Sequence, residues 1–349
     1  MNETPIFRHV AEGWLDVAQR GLIRDQIWFG GASIRDRAGA RYRHAAMPGH
    51  ETLVLRDAVL VPEPFAVIDR DGITRAGTTP SKPAEPADTV LLSNAVAPMA
   101  AGASVPLGRF LGNSLSIASM QRAMFGEIGF AGPPLTPPQA DALAAMGLLG
   151  AYTPLSEPVR VEKLLLTLQK GQGFSRMIRP AIETLRFAAE PYEVNPRIAI
   201  LEPVTRTRFT RGNQFGFQAW LRAQSFAFLD PDAMRLGNTQ LGLFDLISVL
   251  AAARLVVIDD PAQAPLLGFC DPGTIVIQLG IDGWPDGAIA TCARLFSLEW
   301  RLVLAFAPHY PVRGPLPLGE RKMLRTEIDI AALGAALASV EGDVLPMKA

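Results

Sequence analysis

The stretch Leu246–Gly280, LISVLAAARLVVIDDPAQAPLLGFCDPGTIVIQLG, constrains this chain more than any other. Leu255–Ile258 and Ile275–Leu279 are short runs dominated by Val, Ile and Leu, the composition of strands buried on both faces. Ahead of the first run lies an apolar helical segment. Between the runs come the polar turn Asp259–Gln263, an apolar helix-like segment and a Gly/Pro turn. Helix, strand, turn, strand at this spacing argues for a parallel sheet covered by helices. The acidic turn falls at the carboxyl end of a strand, where open α/β sheets bind ligands.

The same alternation continues around this segment. Arg197–Leu201, Phe226–Leu229 and Arg301–Ala307 read as strands. Gln214–Ala223, Leu241–Ala253, Ala288–Phe296 and Ile330–Val340 read as helices, the last led in by the negative charge of Glu327–Asp329. The amino-terminal half differs. Thr52–Leu55, Ala58–Val61 and Phe65–Ile68 are strand-like, and Asp71-Gly72 is a hairpin turn signal. Thr89–Leu92 and Pro158–Leu168 read as further strands. Thr136-Pro137-Pro138-Gln139 carries the marks of a capped helix start, and Pro180–Ala189 reads as another helix. Gly102–Gly129 shows no clear period. The expected domains are 1–189, with a β-rich start, and 190–349, with a boundary near Glu190–Pro196.

Composition narrows the class. At 349 residues and 49% hydrophobic content the chain has room for two cored domains. A formal net charge of -1 gives no bulk attraction to nucleic acid or to an anionic membrane. Cys270 and Cys292 make neither a disulfide framework nor a metal array. The start, MNETPIFRHVAEGW, has no secretory pattern, and Leu241–Ile258 is interrupted by Asp245 and Arg254. The expectation is a soluble cytoplasmic protein with no nucleic-acid partner and at most a peripheral membrane association.

Two turns carry candidate chemistry. Arg206, Arg208 and Arg211 crowd the loop after Arg197–Leu201, and three guanidinium groups ahead of a helix can hold a phosphate. Asn213 either caps that helix or touches a ligand. Asp259 and Asp260 can contact sugar hydroxyls, bind a metal or act as a base, or cap the next helical turn before Pro261. Gln263 lies one turn further on. Of the four histidines only His309, in APHYP after a strand, is placed for a cleft. They form no metal cluster, and the chain lacks G-x-G-x-x-G, Walker A, G-x-S-x-G and H-E-x-x-H motifs.

The region from Pro158 to Leu337 resembles glycosyltransferase family 61. Val161-Glu162-Lys163-Leu164-Leu165-Leu166 is similar to the family's "v-x-x-LLLP" strand. The strand at Ile198–Leu201, an Arg at Arg208 or Arg211, and Asn213 follow in the family's order. Ala253-Arg254-Leu255-Val256-Val257, Phe269, Pro272-Gly273 and Val276-Ile277-Gln278-Leu279 follow the frame of its "HGAGL" signature. Within that frame the family's His-Gly-Ala falls on Asp260-Pro261-Ala262, its Asn on Leu266 and its Glu on Gln278.

The resemblance implies a GT-B-like α/β architecture. Two Rossmann-like domains face a cleft, the amino-terminal one on the acceptor side and the carboxyl-terminal one binding the donor. It implies sugar transfer from a nucleotide-sugar donor to a polysaccharide or other glycan, with neither metal nor cofactor. Asp260 would be the catalytic residue. Arg206, Arg208, Arg211, Asn213, Asp259, Gln263 and Gln278 would line the donor site. The alternative is a catalytically degenerate relative that binds a glycan or scaffolds a polysaccharide assembly.

Overall fold

A computed structural model describes residues 4–9, 27–29, 32–33, 49–79, 91–170, 178–189, 196–203, 210–211, 213–281, 287–308, 325–328 and 330–341. The chain divides into two compact units. Unit 1 comprises Met1–Gly13, Ala46–Glu190 and Gly242–Ile247; unit 2 comprises Trp14–Ala45, Pro191–Leu241 and Ser248–Ala349.

Unit 1 is built on a mixed sheet. Its axis is β4 (Gly49–Val61), a 13-residue strand. One edge of β4 is shared by β1 (Thr4–His9) and, further along, β5 (Ala66–Ile68), both antiparallel to it. β6 (Thr74–Gly77) continues the meander through the Asp71-Gly72 turn. The other edge of β4 is taken along nearly its whole length by β10 (Val159–Lys170). Beyond β10 the sheet turns parallel: β7 (Leu91–Pro98), β8 (Gly129–Gly132) and β9 (Tyr152–Pro154) follow in that order. The β-rich start of the sequence is therefore one side of this sheet, not an addition ahead of a Rossmann-like domain. Leu55, Leu60, Val161 and Leu164 are fully buried in its core, because their strands present an apolar residue to the core at alternate positions.

The two runs read separately at Thr52–Leu55 and Ala58–Val61 form one strand. Asp57, at φ 53°, breaks the alternation between them, and neither it nor Glu162 appears in the β4–β10 register. The stretch that showed no period contains a helix interrupted by a wider turn. α1 (Leu107–Arg109), a π-helical turn (Phe110–Leu115) and α2 (Ser116–Phe125) run without a break. α3 (Pro137–Ala145) starts where expected, with the Gln139 carboxamide accepting from the Thr136 amide at 3.1 Å. α4 (Ile178–Phe187) follows β10.

Unit 2 carries the alternating pattern. β11 (Arg197–Ile200), β13 (Phe226–Asp230), β16 (Leu255–Ile258), β17 (Ile275–Ile281) and β18 (Glu299–Pro308) lie parallel, in the spatial order β13-β11-β16-β17-β18. In chain order that is 2-1-3-4-5, a doubly wound sheet. Short strands close the edges: β14 (Arg235–Leu236) and β15 (Thr239–Gln240) beyond β13, β2 (Ile27–Phe29) with β3 (Ala32–Ser33) on β18, and β19 (Arg325–Ile328) with β12 (Thr210–Arg211) beyond β18. Both faces of the centre are buried. Val257, Ile277 and Val303 pack under α5 (Gln214–Ala223) and α8 (Ile330–Glu341). Val256, Ile258, Ile198 and Val276 alternate to the opposite face and are equally inaccessible. This double burial is why the strands read as continuous apolar runs. α6 (Leu243–Ala252) precedes β16 and α7 (Ala288–Leu295) follows β17. Among the described residues no helix is long and apolar enough to cross a membrane.

Candidate functional site in unit 2

A 2-1-3-4-5 sheet has its topological switch point between the first and third strands, here β11 and β16, and ligands of such sheets bind outside the carboxyl ends there. β16 ends at Ile258, so Asp259 and Asp260 stand at this position by chain order alone. The Asp259 amide donates to the Ile200 carbonyl at 3.2 Å, extending the β11–β16 ladder by one rung. Its Oδ1 accepts from the Glu202 amide at 2.6 Å, tying together the two chain segments that leave the sheet at the switch point. Asp260 is buried, and its Oδ1 accepts from the Ala262 amide at 2.9 Å. It is the N-cap of a 3-10 helix, Pro261–Phe269, in which Pro261 takes the first turn. The helix-like segment read from the sequence is this tighter helix, and the capping role foreseen for Asp260 is present.

Gln263 is buried one turn on, and its Nε2 donates to Asp232 Oδ1 at 3.0 Å. Asp232 lies just past the carboxyl end of β13, so this bond links the turns after the second and third strands of the chain order. Gln278 pairs in register with Ile258 on one side and Leu302 on the other, level with the end of β16. It is buried, and its Oε1 accepts from the Trp300 indole at 3.0 Å.

Arg211 and Asn213, at the end of the arginine loop, stand apart from the acidic turn. Arg211 belongs to β12 and Asn213 follows it; β19, β18 and β17 intervene between β12 and β16. Four strand spacings amount to roughly 19 Å. Asn213 stands at the N-cap position of α5 but does not cap it. Its Nδ2 donates to the Ile328 carbonyl at 2.8 Å and its Oδ1 accepts from the Ile328 amide at 2.9 Å. Both ends of the carboxamide thus fasten the start of α5 to β19, and this replaces the expected cap. Arg206, Arg208 and His309 lie outside the described residues, as does the side chain of Arg211.

The structure therefore assembles Asp259, Asp260 and Gln263 in one turn, sets Gln278 on the adjacent strand and separates Asn213 from them. Glu202, Asp232 and Trp300 were not singled out from the sequence. A signal for two of them exists: an acid closely follows each of three short strands, at Glu202, at Asp230 and Asp232, and at Asp259 and Asp260. Among the described residues, no three His, Cys, Asp or Glu side chains converge closely enough to hold a metal ion.

No protein-family model matches the chain, and no curated protein matches it. Among solved structures it is similar to the bacterial iron-containing dodecameric glycosyltransferase TibC from enterotoxigenic E. coli H10407. The identity is 11%, the coverage 88% of this chain and 95% of that one, and the TM-score 0.38.

Proposed function

We propose that the chain is a cytoplasmic glycosyltransferase of the family 61 type. It would move a sugar from a nucleotide-sugar donor to a polysaccharide or other glycan acceptor, without a metal and with the donor on unit 2. The observation that carries this reading is the acidic turn at the β11–β16 switch point of a doubly wound sheet. In the proposed reaction the acceptor hydroxyl attacks the anomeric carbon, and a carboxylate takes its proton. The bond from that carbon to the diphosphate breaks, and the diphosphate leaves with the electron pair. Asp260 is the proposed base, and Arg206 or Arg208 would neutralise the leaving group; Arg211, on β12, stands four strands away from the acidic turn.

A second reading is favoured by one specific observation. One polar atom each of Asp260, Gln263 and Gln278 (Oδ1, Nε2 and Oε1) is bonded to the protein itself, to Ala262, Asp232 and Trp300. A transferase-like frame that binds or scaffolds a glycan without turnover needs no more than this.

Titration calorimetry of the full chain against UDP-, GDP-, CMP- and dTDP-sugars tests the first reading. Saturable binding of one donor is expected; folded protein that binds none at millimolar concentration overturns it. Asp260→Asn then separates the two readings, since Asn caps a helix as well as Asp does but is no base. Donor turnover should fall at least about 100-fold with the stability unchanged. Donor binding without turnover in the parent protein selects the second reading.

A further inference from the structure

One helix layer of unit 2 meets solvent with almost no charge. α5 and α8 cover the same face of the sheet, over Val257, Ile277 and Val303. They run close together: a Cβ at Gly334 of α8 would lie 3.6 Å from Trp220 Cζ2 of α5. α5 exposes Phe215, Ala219 and Ala223, which recur every fourth residue and so share one side of the helix. Phe215 is 90% exposed. The exposed positions of α8 are Ala331, Ala338 and Ser339, and the Ser339 hydroxyl donates back to the Ala336 carbonyl at 2.7 Å. The only charged residue of α8 is its last, Glu341. The helices of unit 1 are finished differently. α4 carries the exposed pair Arg179–Glu183 at 2.7 Å, and α3 exposes Asp141. An apolar surface left open on this scale marks a place where a protein or a membrane docks.

The charge that this face does carry has one sign. Arg222 is exposed on α5, and its guanidinium lies 4.8 Å from the centroid of the Phe228 ring. Among the described residues it pairs with no acid. The sequence from Pro203 to Leu229 contains Arg206, Arg208, Arg211 and Arg222 and neither Asp nor Glu. The chain as a whole balances 33 basic against 34 acidic residues, so its net charge of -1 conceals a local cationic excess at α5 and the segment leading into it.

We propose that the outer face of α5 and α8 docks unit 2 on an anionic lipid bilayer. Phe215 enters the boundary between headgroups and acyl chains, and Arg222 pairs with lipid phosphate. The alanines allow both helices to lie close against the surface. The association is peripheral, since neither helix is long enough to cross. A second copy of the chain fits this face less well. Two-fold pairing through α5 would set arginine against arginine, and the stretch 203–229 offers no acid to separate them. A bilayer would hold this face whether or not unit 2 binds a nucleotide sugar.

The test is co-sedimentation of the full chain with vesicles of phosphatidylcholine, alone or with about one-third phosphatidylglycerol. The anionic vesicles should bind the protein at least about tenfold more tightly than the neutral ones, and less so as salt is raised. Phe215→Ser should weaken that binding at least about tenfold at unchanged Tm, because the side chain it removes packs against almost nothing. Arg222→Gln should weaken it about fivefold. Phe187→Ser removes an equally bare aromatic, 94% exposed on α4 of unit 1, and should bind as the parent does. The proposal is overturned if folded protein fails to bind anionic vesicles, if neutral vesicles bind it as tightly, or if either unit 2 variant binds as the parent does. Equal loss in Phe187→Ser and Phe215→Ser overturns it too. A dimer that Phe215→Ser dissociates, in a protein that ignores vesicles, overturns it in favour of a second copy on this face.

Discussion

The two sheets fasten their carboxyl edges differently. In unit 2, Asp259 Oδ1, Asp260 Oδ1, Gln263 Nε2 and Gln278 Oε1 tie turns and strands of the sheet to one another. In unit 1, Gln139 and Ser114, both on helical segments, hold the single loop Met99–Pro106. A polar residue at the ligand-binding edge of a sheet is therefore not a site residue by position, because a buried polar group needs a hydrogen-bond partner whether or not a ligand is present.

The largest expected effect tests the geometry of the unit 1 edge. A Cβ at Gly132 would lie 2.0 Å from the Met99 carbonyl oxygen, so Gly132→Ala must push β8 away from the strand beside it. We expect a loss of about 3 kcal/mol or more in urea unfolding. Gly150→Ala meets nothing within 4 Å and should stay within about 0.5 kcal/mol of the parent. Equal effects would mean that the pinned edge is looser than described.

Next in size is Gln278→Ala, which leaves the Trp300 indole N–H buried without its acceptor. A loss of about 2 kcal/mol is expected. Unchanged stability with lost donor binding would move Gln278 from frame to site and break the contrast between the units. Asn213→Ala removes two bonds to Ile328 and should cost about 1 kcal/mol. Asn213→Asp keeps one acceptor but no amide donor, and its stability should fall between the two.

The smallest effect appears as a pH dependence, away from either edge. Burial raises the pKa of Asp69, but the Ile73 and Asp71 amides and the Arg75 guanidinium outweigh it and hold the carboxyl below its ordinary 3.8. The stability from this turn is therefore complete above about pH 4 and is lost as pH falls through the lowered value. Urea midpoints between pH 7 and pH 3 should fall less steeply for Asp69→Asn than for the parent. Parallel curves would remove Asp69 from the charged frame of unit 1.

Unit 2 was largely legible because its physics is local. Strands of four or five residues buried on both faces must be apolar throughout, and α5 begins and ends at the residues the pattern marks, Gln214 and Ala223. Unit 1 was less legible for three nameable reasons. A single i→i+5 turn at Phe110–Leu115 shifts the phase of the helix and erases its period. Asp57 divides β4 into two apparent strands. Ser93 and Asn94 interrupt β7, so only its start looked extended. At the candidate site the acidic turn was visible because it adjoins a strand. Its partners Asp232 and Trp300 were not, since those bonds depend on strand order. Asn213 was read as a cap because local capping rules apply to any Asn before a helix; the bidentate pairing with Ile328 is a contact across 115 residues of chain.

The pairing of β4 with β10 has a consequence for how the chain is made. Thr52 and Thr167, hydrogen-bonded at 2.8 Å, are 115 residues apart. At a synthesis rate of about 5–20 residues per second, β4 waits roughly 6–23 s for its long partner. During that time a 13-residue strand containing LVL and AVLV presents an open edge. The nascent chain is then at its most prone to associate with other copies of itself, and chaperones that shield extended apolar segments would act on this stretch before β11, the first strand at the centre of the unit 2 sheet, is made.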